Sequence, residues 1–163
     1  MLNIPELVSA AAHAEPVSHA TVTGTEIEFE QCDSVGKVSK VTIEPCQGGN
    51  GTLESPCEFH YGSNYTITLD FTSTVSSERP RNNLIAYDST ESLGAGYDHY
   101  PYSGQSFDAC TYTTCPVPQD TPATYTYKFR TLKSYFDSLK FNVTDTLQGP
   151  AFICAGFPIK FVE

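Results

Sequence analysis

From residue 25 onward apolar and polar positions alternate with a period of two, the pattern of half-buried strands rather than of helices. Ile27 and Phe29 alternate with polar neighbours, and Val41 and Ile43 do so just before Pro45. Tyr65-Thr66-Ile67-Thr68-Leu69-Asp70-Phe71 is apolar at every odd position, the clearest strand in the chain. Leu84 to Tyr87 is a short apolar run, and Tyr125-Thr126-Tyr127-Lys128-Phe129-Arg130 alternates again. So does Leu139-Lys140-Phe141-Asn142-Val143-Thr144, before a last segment from Phe157 to Phe161. Turn clusters separate these runs at Gly48-Gly49-Asn50-Gly51, Gly62-Ser63-Asn64, Glu78-Arg79-Pro80, Gly94-Ala95-Gly96 and Leu147-Gln148-Gly149-Pro150. No segment longer than one turn carries a helical stripe. About seven short strands, each with one apolar and one polar face, predict an all-β chain folded as an antiparallel two-layer β-sandwich.

The stretch from Ser89 to Pro122 departs from this rhythm. It carries Gly94, Gly96, Gly104, Pro101, Pro116, Pro118 and Pro122, with Tyr97, Tyr100, Tyr102, Phe107 and Tyr112 among them. A connection this long inside a compact domain is usually functional or disordered, and its tyrosines and paired cysteines point to order. Its aromatics either cap the core or line the mouth of a cavity.

Composition sharpens the picture. A chain of 163 residues is one domain by length, and it buries roughly 70% of its unfolded surface. Ten Tyr and ten Phe with no Trp reinforce the strand reading. A net charge of -10 with only nine basic residues, spread along the chain, argues against nucleic acid and against anionic membranes near neutral pH. In an acidic compartment carboxylate protonation would lower that barrier. No apolar run approaches the roughly 18 residues that span a bilayer.

Enzyme chemistry finds no support. Neither GxSxG, HExxH nor a Gly-rich phosphate loop is present, and Asp98-His99 has no nucleophile at a matching spacing. No cofactor is expected. Six cysteines stand at positions 32, 46, 57, 110, 115 and 154. They lack a second pair to complement Cys110-x4-Cys115, and the four histidines show no ligand spacing, so disulfides are favoured over a metal site. Spacing alone leaves the pairing open among 15 connectivities. Three sequons, at Asn50, Asn64 and Asn142, agree with an oxidising secretory route and a secreted or lysosomal location. Ala12-His13-Ala14 resembles a signal cleavage site, although Pro5 and Glu6 interrupt the stretch before it. Residues 1–23 are therefore either a residual signal or an extension, and the domain is expected over 24–163.

The cysteines also have a characteristic local context. Phe29-Glu30-Gln31-Cys32 is followed by Ile43-Glu44-Pro45-Cys46, then Pro56-Cys57-Glu58-Phe59. Later come Cys110-x4-Cys115-Pro116, the segment Lys133-Ser134-Tyr135-Phe136, and Ile153-Cys154-Ala155-Gly156-Phe157-Pro158-Ile159. From about Ile27 to Val162 this resembles the MD-2-related lipid-recognition (ML) family, most closely its Niemann-Pick type C2 branch of secreted sterol carriers. Mite group 2 allergens are similar too.

The resemblance implies an immunoglobulin-like sandwich with three disulfides, Cys32–Cys154, Cys46–Cys57 and Cys110–Cys115. It implies sheets that splay around an internal apolar cavity holding a sterol, fatty acid or phospholipid, one ligand per monomer, with transient membrane or receptor contact. An alternative within the family is a carrier of fatty acids, semiochemicals or microbial lipids in sensing or innate immunity. Carried over by motif, the wall residues are Ile43, Phe59, Tyr65, Ile67, Leu84 or Ile85, Leu132, Phe136, Phe141, Phe157 and Ile159, with Tyr100 and Tyr102 at the mouth. Taken as residues alone, the same set would also fill the solid core of a secreted adhesion module. This chain departs from the family in its ten-residue Cys46–Cys57 loop, its enlarged Tyr-rich loop before Cys110, and the usual Trp positions, which fall on Asp145 and Ala155. Those departures leave room for a smaller or linear ligand.

Overall fold

A computed structural model of the protein describes residues 24–88, 100–101, 104–131 and 136–163. The strands are β1 (Thr25–Glu26), β2 (Glu30–Gln31), β3 (Gly36–Glu44), β4 (Glu58–His60), β5 (Asn64–Ser73), β6 (Arg81–Tyr87), β7 (Tyr100–Pro101), β8 (Pro122–Arg130), β9 (Ser138–Thr144), β10 (Ala151–Pro158) and β11 (Lys160–Val162). Helix is confined, among the described residues, to one 3-10 turn at Ala109–Thr111.

Two antiparallel sheets form the body, one in the order β1-β3-β5-β8 and the other β2-β10-β9-β6-β7. The alternation read from the sequence is the reason they face each other. Along β5 every odd residue from Tyr65 to Ser73 is buried and its even neighbours are not, and β9 repeats this at Leu139, Phe141 and Val143. Two sheets with one apolar face each remove those faces from water only by stacking them.

At three places tertiary structure redraws the expected strands. The Ile27–Phe29 segment is not one strand: β1 pairs with β3 in one sheet and β2 with β10 in the other, so the chain crosses between layers there. The last strand starts earlier than expected, at Ala151, and ends at Pro158. Beyond it β11 pairs in parallel with β4, Phe161 opposite Phe59, closing one end of the sandwich. That end also holds Tyr87, Ser138 and Pro158, and is here called the upper end.

All three disulfides have the pairing that the resemblance implied: Cys32–Cys154, Cys46–Cys57 and Cys110–Cys115, with Cα–Cα separations of 5.3, 5.0 and 5.5 Å. Cys32–Cys154 ties the residue after β2 to the centre of β10. Cys46–Cys57 closes the loop that carries Gly51, whose φ of 81° favours glycine and where a Cβ would meet Ile27 Cγ2 at 2.5 Å. The loop can therefore lie against Ile27 only because that side chain is missing.

Candidate functional site

The strand registers stack the inward side chains in levels. Uppermost, Tyr65 of β5 lies opposite Phe129 of β8, while in the facing sheet Leu139 of β9 lies between Ala86 and Phe157. One level down, Ile67 is flanked by Ile43 and Tyr127, facing Leu84, Phe141 and Ala155. Next come Val41, Leu69 and Tyr125 in one sheet, with Asn82, Val143 and Ile153 in the other. Phe59 and Ile159, both buried, cover the upper end.

Eight of the residues singled out in the sequence, Ile43, Phe59, Tyr65, Ile67, Leu84, Phe141, Phe157 and Ile159, therefore converge in one buried cluster between the sheets. Phe136 is half-buried against it. Of the two alternatives on β6, Leu84 is fully buried and opposite Phe141, whereas Ile85 lies half-buried on the outer face opposite Lys140. The period of two puts neighbouring residues on opposite faces, so Ile85 is removed from the inward set. β7 brings the backbone of Tyr100 beside Ala86. Tyr102, Leu132, the Gly94-Ala95-Gly96 turn and the 1–23 extension lie outside the described residues.

Aromatic rings run continuously through this space. Phe59 meets Tyr65 at 4.5 Å and Phe129 at 5.7 Å between centroids, and Phe129 meets Tyr127 at 5.3 Å. Tyr127 and Tyr125 reach across to Phe141 at 6.1 and 5.6 Å, and Phe141 stacks on Phe157 at 6.0 Å. Tyr112, from the loop after Cys110, packs on Tyr127 at 5.0 Å and Tyr125 at 5.4 Å. Edge-on and tilted contacts of this kind add to simple burial. Tyr112, Tyr125, Tyr127 and Phe129 were missing from the residues singled out, although the alternation of β8 had already placed three of them on one face.

Polar atoms in this space have partners. The Tyr65 hydroxyl accepts the His60 N–H at 2.7 Å, and that of Tyr112 accepts the Ser106 N–H at 2.6 Å. The Tyr125 hydroxyl donates to Asn82 Oδ1 at 2.6 Å. Asn82 Nδ2 donates onward to Gln105 Oε1 at 3.1 Å and the Ser106 carbonyl at 3.2 Å. Gln105 imitates a neighbouring strand: its Oε1 accepts the Leu84 N–H at 2.7 Å and its Nε2 donates to the Leu84 carbonyl at 2.8 Å. Desolvation holds the Tyr125 phenol far above the ordinary tyrosine range, so it stays a protonated donor. Nothing in the sequence pattern signalled Asn82 as a core residue.

Among the described residues, open grooves lie at both ends of the sheets. One, of about 360 Å³ at the upper end, is bordered by Glu30, Leu53, Tyr87, Lys140 and Pro158. The other, of about 690 Å³ at the opposite end, is bordered by Arg79, Arg81, Phe107, Asp108 and Leu147, with Arg81 5.2 Å above the Phe107 ring. Asn50 and Asn64 are exposed, while Asn142 is half-buried on the outer face of β9 with its Oδ1 buried and unpartnered.

A family model for the ML domain matches residues 26–161, and the chain belongs to that family. The NPC intracellular cholesterol transporter 2 of Bos taurus is 26% identical over 159 residues, covering 94% of this chain and 90% of that protein. Its namesake from Danio rerio is 27% identical over 142 residues, covering 84% and 86%. Among solved structures, a Niemann-Pick type C2 protein from Japanese carpenter ant superimposes with a TM-score of 0.64 over 83% of this chain and 100% of that one. At 19% identity that match establishes a shared fold.

Proposed function

We propose that this chain is a secreted, non-enzymatic carrier that holds one hydrophobic molecule, a sterol or another lipid, between its two sheets. The convergence of Ile43, Tyr65, Ile67, Leu84, Phe141 and Phe157 on one buried apolar space carries this reading. The cholesterol-transporter name of the Bos taurus and Danio rerio relatives supports the ligand class. Such a site binds by burial. A ligand losing on the order of 300 Å2 of apolar surface gains about 7 kcal/mol gross, from which the cost of immobilising it is subtracted. Rings that touch at 5 to 6 Å can part around a ligand while keeping edge contacts with it.

Secretion and glycans at Asn50, Asn64 and Asn142 belong to the same proposal. Three disulfides favour an oxidising compartment, and among the described residues no helix is long and apolar enough to cross a membrane. Carrier binding is tested on delipidated protein with a fluorescent sterol and a fluorescent fatty acid, alongside native mass spectrometry of protein purified from a secretory host. Saturable one-to-one binding of either probe is expected. Absence of saturable binding by both would refute the carrier. A mass unchanged by glycosidase digestion would refute the glycans alone.

A further inference from the structure

The buried space between the sheets is not uniform along its length. Midway down it, the Tyr125 hydroxyl of β8 reaches the Asn82 carboxamide of β6, a 2.6 Å bond from one sheet to the other with both residues fully buried. Asn82 is fixed in turn by Gln105 and the Ser106 carbonyl, and Gln105 is latched to both backbone groups of Leu84. Every donor and acceptor of this chain of bonds faces a partner, so the ring of Tyr125 is held in place by more than packing.

Residues on the two sides of the bond differ in character. Beneath it Val38, Phe71 and Phe152 form plain core, with Phe71 and Phe152 stacked at 5.9 Å. Above it lie Ile43, Tyr65, Ile67, Leu84, Phe141 and Phe157, which the carrier reading assigns to the ligand. An apolar chain lodged between the sheets above this bond can displace methyl and ring contacts as far as Leu84 and Phe141 and replace them in kind. Further down it would have to separate a hydroxyl and a carboxamide that it cannot satisfy, in a space closed to water.

We propose that the Tyr125–Asn82 clasp is the floor of the ligand space and sets the length of apolar chain the protein accepts. This makes Tyr125 and Asn82 specificity-determining residues, and it rests on the carrier reading above. Affinity then rises by about fourfold for each methylene that finds apolar room and stops rising once the chain end reaches the clasp.

Two variants test this: Tyr125→Leu, which lowers the floor, and the double variant Tyr125→Phe with Asn82→Leu, which keeps its bulk but removes both polar partners. Binding is measured by competition against a fluorescent fatty acid, using straight-chain fatty acids of increasing length and sterols of graded side-chain length. In the wild type, affinity is expected to climb and then break at a definite length. Both variants, checked for folding by circular dichroism, are expected to move that break to longer chains. A folded variant that keeps the wild-type break overturns the floor while leaving the carrier intact. A wild type that binds neither series overturns the carrier reading and the floor with it.

Discussion

Replacing both Cys32 and Cys154 by Ala removes the crosslink between β2 and β10, and the loop that it closes sets the cost. The bonded residues are 122 positions apart, against 11 for Cys46–Cys57 and 5 for Cys110–Cys115. A crosslink stabilises mainly by denying the unfolded chain its freedom, by an entropy of 2.1 cal/mol/K plus 1.5R times the logarithm of loop length. With those separations the stabilisation is about 5 kcal/mol for Cys32–Cys154, about 3 for Cys46–Cys57 and about 2 for Cys110–Cys115. Since a whole domain is stable by only about 5–15 kcal/mol, loss of the first bond brings this chain close to unfolding at room temperature. The assay is urea denaturation of three double Cys→Ala variants, followed by tyrosine fluorescence and far-ultraviolet circular dichroism. Midpoints should fall in the order Cys110/Cys115, Cys46/Cys57, Cys32/Cys154, the last lowest. A Cys110/Cys115 variant as unstable as the Cys32/Cys154 variant would refute the entropic reasoning. It would show instead that the short loop carries contacts, such as Tyr112 on Tyr125, that need the bond to form.

Two further predictions concern faces and titration. Leu84→Ala should cost about 2–5 kcal/mol and Ile85→Ala less than half of that in the same urea assay, since only Leu84 is fully buried; equal losses would refute the face assignment. The Tyr125 phenol titrates above its unfolded value, so the stability it lends is complete below pH ~10 and is lost as pH rises through the folded value. The wild type should therefore lose about 1.4 kcal/mol more per pH unit above 10 than Tyr125→Phe does, and parallel alkaline profiles in urea melts would refute the buried-donor assignment.

The sandwich was legible because alternation is a local property. Tyr65 to Phe71 and Tyr125 to Arg130 each display, within a few residues, which side must leave water. The same rule separates Leu84 from Ile85, but only once one face is known to be the inner one. The bonding of the cysteines was not local: spacing left it open, and it came from the resemblance before the fold bore it out.

What the sequence by itself determined was thus the class of element, the approximate strands and the apolar set available for the interior. Tertiary structure alone decided the crossing of the Ile27–Phe29 segment between sheets, the parallel pairing of β11 with β4, and the burial of Asn82. Asn82 shows why. An amide read along the chain belongs at the surface, and its place in the core depends on a tyrosine 43 residues away and a glutamine 23 residues away. Hydrogen bonds across that separation exist only after both sheets have formed, so no window of the sequence contains them.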